Sequence, residues 1–187
     1  MVKNNLFENI DFSEAPISRE EYSDCTFVNC SFHAADLSNI LFSDCSFKSC
    51  DLSLIKTTGS ILRDVVFKEC KLLGIHFETC NELMFFVSFD HCILNHSSFF
   101  EMPLKKMHFK HCSLVEADFT GTDLTAARFE HCDLSGANFD NSNLEKADFR
   151  TAQHYSIDPE RNRIKQALFS LDGVGGLLRK YNIDIEN

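Results

Sequence analysis

Phe or Leu returns at every fifth position, without a miss, from Phe109 through Leu114, Phe119, Leu124, Phe129, Leu134, Phe139 and Leu144 to Phe149. Two residues before each mark stands something small or soft: Met107, Cys112, Ala117, Thr122, Ala127, Cys132, Ala137, Ser142 and Ala147. A period of five matches neither the 3.6 of an amphipathic helix nor the 2 of a half-buried strand. It marks a chain built by repeating one small structural unit, and few folds accommodate it.

The repeated unit has the form A-(D/N)-(L/F)-x-x, as in ADFTG, ANFDN and ADFRT. It resembles the pentapeptide-repeat proteins, and the resemblance extends over most of the chain. That likeness implies an all-β fold, a right-handed quadrilateral β-helix with four pentapeptides per coil. The central residue and the one two before it then point inward, and residues 20 apart stack.

The stacking can be examined within the sequence. Going backward, the beat continues through Phe99, Leu94, Phe89 and Met84, then breaks; from Phe77 down to Phe7 it runs in another frame. The frames differ by two residues, which places a two-residue insertion within Thr79 to Leu83. If the insertion bulges at a corner, one face collects Phe7, Phe27, Phe47, Phe67, Phe89, Phe109, Phe129, Phe149 and, one coil further, Phe169. A wrong register would not align nine identical residues. Another face collects Tyr22, Phe42, Leu62, Met84 and Leu104; a third includes Thr57, the one polar central residue in the core. With coils spaced as strands are, ~4.8 Å apart, the Phe ladder makes a rod of roughly 38 Å.

Composition narrows the function. The formal charge is −10, and no run of five basic residues occurs, which argues against direct binding of a phosphate backbone. The N-terminal MVKNNLFENIDFSE has no apolar signal-peptide core, and no run is long enough to cross a bilayer. A cytoplasmic protein with no membrane partner is expected, with residues 1–170 forming the β-helix and 171–187 a capping and dimerisation segment.

After Phe149 the pattern loosens: His154 and Pro159 fall at central positions, which predicts a distorted coil ahead of the terminal segment. Asp172 before GVGGLLRKY suits a helix N-cap, and Arg179 and Lys180 suit the C-terminal end of its dipole. Three glycines weaken such a helix, so Leu177, Leu178 and Tyr181 are expected to pack on the last coil or on a second copy. The closing IDIE alternates as a short strand, with Ile183 and Ile185 on one side.

Candidate chemistry is sparse. Cys30, Cys50, Cys70, Cys92, Cys112 and Cys132 fall on one inward face, but a straight ladder at ~4.8 Å does not converge as four zinc ligands at ~2.3 Å must. Cysteine here reads as a soft core filler, reduced in its compartment, and no metal or cofactor is expected. His91, His111 and His131 each precede a ladder cysteine. Neighbours in an extended chain point to opposite sides, so each His faces water and cannot serve its Cys as a base. The outer His column reads as a solvated stripe rather than a metal site. GVGG is too short for a phosphate loop. No active site is found, and the chain reads as a non-enzyme.

The surface carries two features. Asp24, Asp44 and Asp64 stack as a column of like charges, followed in the same column by Phe86 and Lys106. Leu41, Ile61, Leu83 and Pro103 share one outward position, with Glu82, Phe85 and Phe86 beside the insertion; such an apolar group marks a partner or a covering loop. In size, acidity and tail, including IDPERNRIKQALFSLDGVGGLLRKYNIDI, the chain is similar to the topoisomerase-protecting branch of the family, the quinolone-resistance and microcin-immunity types. That resemblance implies a tail-to-tail homodimer that imitates DNA on DNA gyrase or topoisomerase IV. The alternative is an interaction scaffold with no topoisomerase target.

Overall fold

The stacking of each residue on the one a coil later is written in the backbone bonds. In the computed structural model, which describes residues 1–184, Leu6–Glu8 pairs in parallel with Thr26–Val28, and that strand with Ser46–Lys48. The next pairing reaches Ile61–Lys68, then Phe85–Asp90, His108–Lys110 and Arg128–Glu130. Every paired strand is parallel to its neighbour, as a chain wound always in one direction requires, and the fold is a right-handed quadrilateral β-helix.

The Phe ladder forms as the register demands. Successive rings from Phe7 to Phe169 lie face to face, with centroids from 4.6 Å (Phe27–Phe47) to 5.7 Å (Phe89–Phe109) apart. A second column, Phe77–Phe99–Phe119–Phe139, stacks beside it and meets it edge-on, as Phe119 meets Phe129 at 5.8 Å. Offset stacks and edge-to-face contacts both suit the ring quadrupole.

The polar residue before each central position closes the corners. Asp Oδ1 accepts the backbone N–H two residues on, from Ser38 to Asp36 (3.0 Å), Thr120 to Asp118 (2.9 Å), Thr125 to Asp123 (3.1 Å) and Ser135 to Asp133 (3.0 Å). Asn138 and Asn143 do the same. This Asx turn is why the motif requires Asp or Asn there. The second residue after the central one takes the left-handed backbone, as at Asp44 (φ +55°), Glu116 (+54°) and Lys146 (+61°). That conformation costs a non-glycine residue roughly 1–2 kcal/mol, so the ladder on either side holds it in place.

The insertion lies where expected but is built differently. Gly59 N–H still bonds Thr79, 20 residues on, whereas Leu62 pairs with Phe85, Val65 with Val87 and Phe67 with Phe89. Glu82–Met84 forms a single 3-10 turn, and Asn81 Oδ1 caps it by accepting from Leu83 N–H (3.1 Å). Tighter winding at three residues per turn carries the chain one position further. Phe85, not Met84, therefore enters the core: Phe85 is 7% exposed with its ring 5.7 Å from Phe77, and Met84 is 41% exposed. Thr57 is buried beneath the insertion, its hydroxyl bonding His76 O (3.0 Å) and Thr79 Oγ1 (2.9 Å).

At the other end, the coil is distorted as His154 and Pro159 require, and Tyr155 and Ile157 fill the core in their place. The expected capped helix does not form. Two short 3-10 turns, Val174–Leu177 and Arg179–Tyr181, stand there instead, and Asp172 makes no cap bond. The glycines explain the change. Gly173 and Gly176 press against Tyr155, so closely that a Cβ at Gly176 would lie 2.5 Å from Tyr155 O and 2.7 Å from its ring. The segment is a clasp over the buried Tyr155. Lys180 pairs with Asp158 (2.6 Å) and Glu160 (2.8 Å) rather than completing a helix dipole. Ile183 lies in no strand; Ile185 is outside the described residues.

Replacing Phe109 by Ala in the middle of the ladder is expected to cost about 3–5 kcal/mol in urea unfolding. Phe7, half-buried and stacked on one side only, should cost distinctly less. Equal losses would show that the ladder does not carry the core's stability.

Candidate partner-binding surfaces

The cysteines belong to the backbone's hydrogen-bond network. At the strand-type corners no i→i+3 turn bond forms, and the inward thiol takes its place. Cys50 Sγ lies 3.5 Å from Phe27 O and 3.4 Å from Lys48 O; Cys70 repeats this with Phe47 O (3.4 Å) and Lys68 O (3.3 Å). Ser60, Thr122 and Ser142 place hydroxyls on the same kind of carbonyl, at 2.7, 2.8 and 2.5 Å. Cysteine thus serves as a small donor as well as a filler. All nine are buried and unbridged, and burial pushes the thiols of Cys45 and Cys80 up to about 11. Since all nine are shielded from solvent, none should react with a disulfide reagent at pH 7.5 until the protein is unfolded, when all nine should titrate. Rapid native reaction of several would contradict the ladder.

Among the described residues no three His, Cys, Asp or Glu side chains already stand at metal-binding spacing. His91, His111 and His131 are exposed with their rings stacked, on the opposite side of the wall from the cysteines they precede.

The corner aspartates titrate together with the fold. Ser13, Ser38 and Arg150 side chains, followed by backbone N–H bonds, hold the carboxyls of Asp11, Asp36 and Asp148 below the usual range. A depressed folded-state value contributes stability that is fully present above the unfolded carboxyl value of ~3.9 and is lost as pH falls from there through the lower folded-state value. Melting temperature should be flat near neutrality and drop steeply below about pH 4; a protein no less stable at pH 3 would show that these bonds do not matter.

Asp24, Asp44 and Asp64 do form an exposed column, each at φ near +54°. Ser23 and Ser43 hydroxyls donate to Asp24 (3.0 Å) and Asp44 (2.6 Å). Lys3 lies 3.8 Å from Asp24, and Arg63 reaches Ser43 Oγ at 2.8 Å, so basic groups flank the column. The acid is spread over a larger region: residues 1–145 hold 22 Asp and Glu against 11 Lys and Arg, whereas 146–187 hold six against seven. In the latter part Arg150, Arg161, Arg163 and Lys180 are tied to Asp148, Asp140, Glu145 and Asp158 within 2.6–2.8 Å.

The 3-10 turn projects Leu83 (87% exposed), with Glu82, Met84 and Phe86 also at the surface. Beside it runs a groove of about 440 Å³ with Val66, Phe86 and Val87 among its apolar walls, Asp64 on its lining and Lys105 and Lys106 along the next coil. Of the expected binding residues, Phe85 alone is withdrawn into the core. Val66, exposed in the middle of the patch, was missed because its neighbours Thr26 and Ser46 in the same column are polar.

The pentapeptide repeat region family matches residues 2–77 and 75–149. The chain belongs to the pentapeptide repeat family. A search of curated proteins finds no match. Among solved structures, a trypsin-treated QnrB1 variant, a plasmid-mediated fluoroquinolone resistance protein, superposes with a TM-score of 0.64 at 17% identity, covering 100% of both chains. HetL, a pentapeptide repeat protein involved in heterocyst differentiation regulation in the cyanobacterium Nostoc sp. strain PCC 7120, gives 0.64 at 18% identity over 92% of this chain and 88% of its own. These likenesses show the fold. Among the described residues no helix is long and apolar enough to cross a membrane.

Proposed function

We propose that this protein is a non-enzymatic, cytoplasmic DNA mimic that binds a type II topoisomerase, DNA gyrase or topoisomerase IV, and protects or modulates it against inhibitors such as fluoroquinolones or microcins. The observation that carries the reading is the distribution of charge: the first 145 residues, with twice as many acids as bases, form a rod whose far end is balanced. Two rods joined at their C-terminal ends would present acidic arms on either side of a nearly neutral centre. Tyr181 (52%) and Ile183 (55%) are exposed at that end, with Leu177 and Leu178 half-buried behind them; these, with Ile185, form the proposed dimer interface. Duplex DNA carries one charge per ~1.7 Å, about 22 over a 38 Å rod, so a net charge of −10 makes the imitation partial.

A second reading is favoured by the Leu83, Met84 and Phe86 patch, which needs no acid and suits a scaffold for a different protein. The equal likeness to HetL supports it. Salt separates the two, because exposed charge is screened and apolar contact is not.

A supercoiling assay with purified gyrase, titrated with the protein with and without a fluoroquinolone at two salt concentrations, tests the proposal. Relief of drug inhibition, or inhibition of supercoiling, that fades with salt is expected. Asp24→Asn, Asp44→Asn and Asp64→Asn together keep a residue suited to the left-handed backbone and should weaken the effect several-fold. No effect at micromolar protein, or an effect untouched by salt and by these substitutions, would overturn the mimicry.

A further inference from the structure

The corner of the rod that carries Asp24, Asp44 and Asp64 continues through Phe86 to Lys106, Ala126 and Lys146. The six flanking residues share one backbone geometry, with φ between +54° and +61°. They also share one ladder bond: Asp44 N–H donates to Arg63 O (2.9 Å), Lys106 N–H to Thr125 O (2.9 Å) and Lys146 N–H to Lys165 O (3.0 Å). Phe86 stands at the bulge opposite Asp64 and lines one groove with Asp64 and Lys106. Charge therefore reverses about Phe86, acid on one side and base on the other, at matching steps. The nearby ion pairs are Lys3–Asp24 (3.8 Å) and Lys105–Asp123 (3.3 Å); among the described residues Asp44, Asp64, Lys106 and Lys146 have none. The apolar projection has the same centre: Leu83 is 87% exposed and Phe86 56%, and Ile61 and Pro103 lie one coil either side of Leu83.

We propose that two copies of this chain pack side by side and antiparallel along this corner, about a two-fold axis beside Phe86. A two-fold interface must be self-complementary, each contact occurring twice. Rotation about Phe86 sets Asp64 opposite Lys106 of the second copy and Asp24 opposite Lys146, with Asp44 facing Ala126 between those lysines. Parallel rods would set Asp against Asp and Lys against Lys, so charge selects the antiparallel arrangement. Six coil steps of ~4.8 Å make the contact roughly 29 Å long. Exposed ion pairs contribute little on their own. The driving force is burial of Leu83, Met84, Phe86 and Val66 from both copies, and the charges fix register around that apolar centre. Arg63 and Lys105 are the flanking cations that oppose it, and each is drawn aside, Arg63 to Ser43 Oγ (2.8 Å) and Lys105 to Asp123 (3.3 Å). This contact is separate from the C-terminal one and needs no topoisomerase. It covers Asp24, Asp44 and Asp64, so it excludes any other partner that binds that column.

The test is cross-linking of full-length chains with a short bismaleimide, to which the buried native cysteines are closed. Asp24→Cys chains mixed with Lys146→Cys chains should give the mixed cross-link in preference to either homodimer. Adding Asp64→Lys to both chains sets Lys against Lys and should lower that yield by roughly ten-fold, without changing the melting temperature. Adding Lys106→Asp as well reverses both charges, restores complementarity and should restore the yield. Lysine already occupies this corner at positions 106 and 146, so the backbone accepts the exchange. Homodimer cross-links alone, a yield indifferent to Asp64→Lys, or a double reversal no better than the single one would overturn the interface.

Discussion

Everything in this molecule depends on one repeat distance. A residue must lie directly above its counterpart a coil earlier so that the backbone ladder and the ring stack can both form. Neither suffices alone. The hydrogen bonds between coils leave strands of only two or three residues in most places, and a corner every five residues forces left-handed backbone on Asp, Glu, His and Lys. The stacked Phe columns supply the apolar burial that holds those corners, while Asp and Asn at the preceding position satisfy the N–H groups that each turn would orphan.

The same constraint explains which parts were legible in sequence. A period of five, once tied to coils of 20, fixed the Phe ladder, the inward cysteines, the outward histidines and the existence of the insertion. It failed where the chain stops obeying the period. Inside the insertion, one 3-10 turn advanced the register by a residue, exchanging Met84 for Phe85, and no spacing rule announces that exchange. In the tail, GVGG reads as a poor helix because helix propensity is local; its role as a clasp depends on Tyr155, about 20 residues earlier in sequence. The hydrogen-bonding role of the cysteines also escaped, although Ser60, Thr122 and Ser142 at equivalent positions were a visible hint that a donor was wanted there.

A solenoid separates core from surface more completely than most folds, because each pentapeptide devotes two positions to the interior and three to solvent. The outer columns are consequently free to carry charge, histidine or apolar groups without disturbing the core. This chain uses that freedom unevenly: acid over the first 145 residues, an apolar projection at the insertion, stacked imidazoles beyond it, and paired charges at the terminal clasp. The proposed topoisomerase partner rests on the first of these, and the scaffold reading on the second.

The central physical claim is that one continuous core runs through the insertion. Native-state hydrogen exchange measures it directly, through amides bonded across the junction such as Glu69 to Asp90 and Leu72 to Ile93, compared with Leu114 to Asp133 deeper in the rod. A single cooperative core predicts that all three exchange with the same free energy of opening and respond equally to denaturant. Markedly easier opening at Glu69 and Leu72 would show two stacked blocks meeting at the insertion, and would contradict the account.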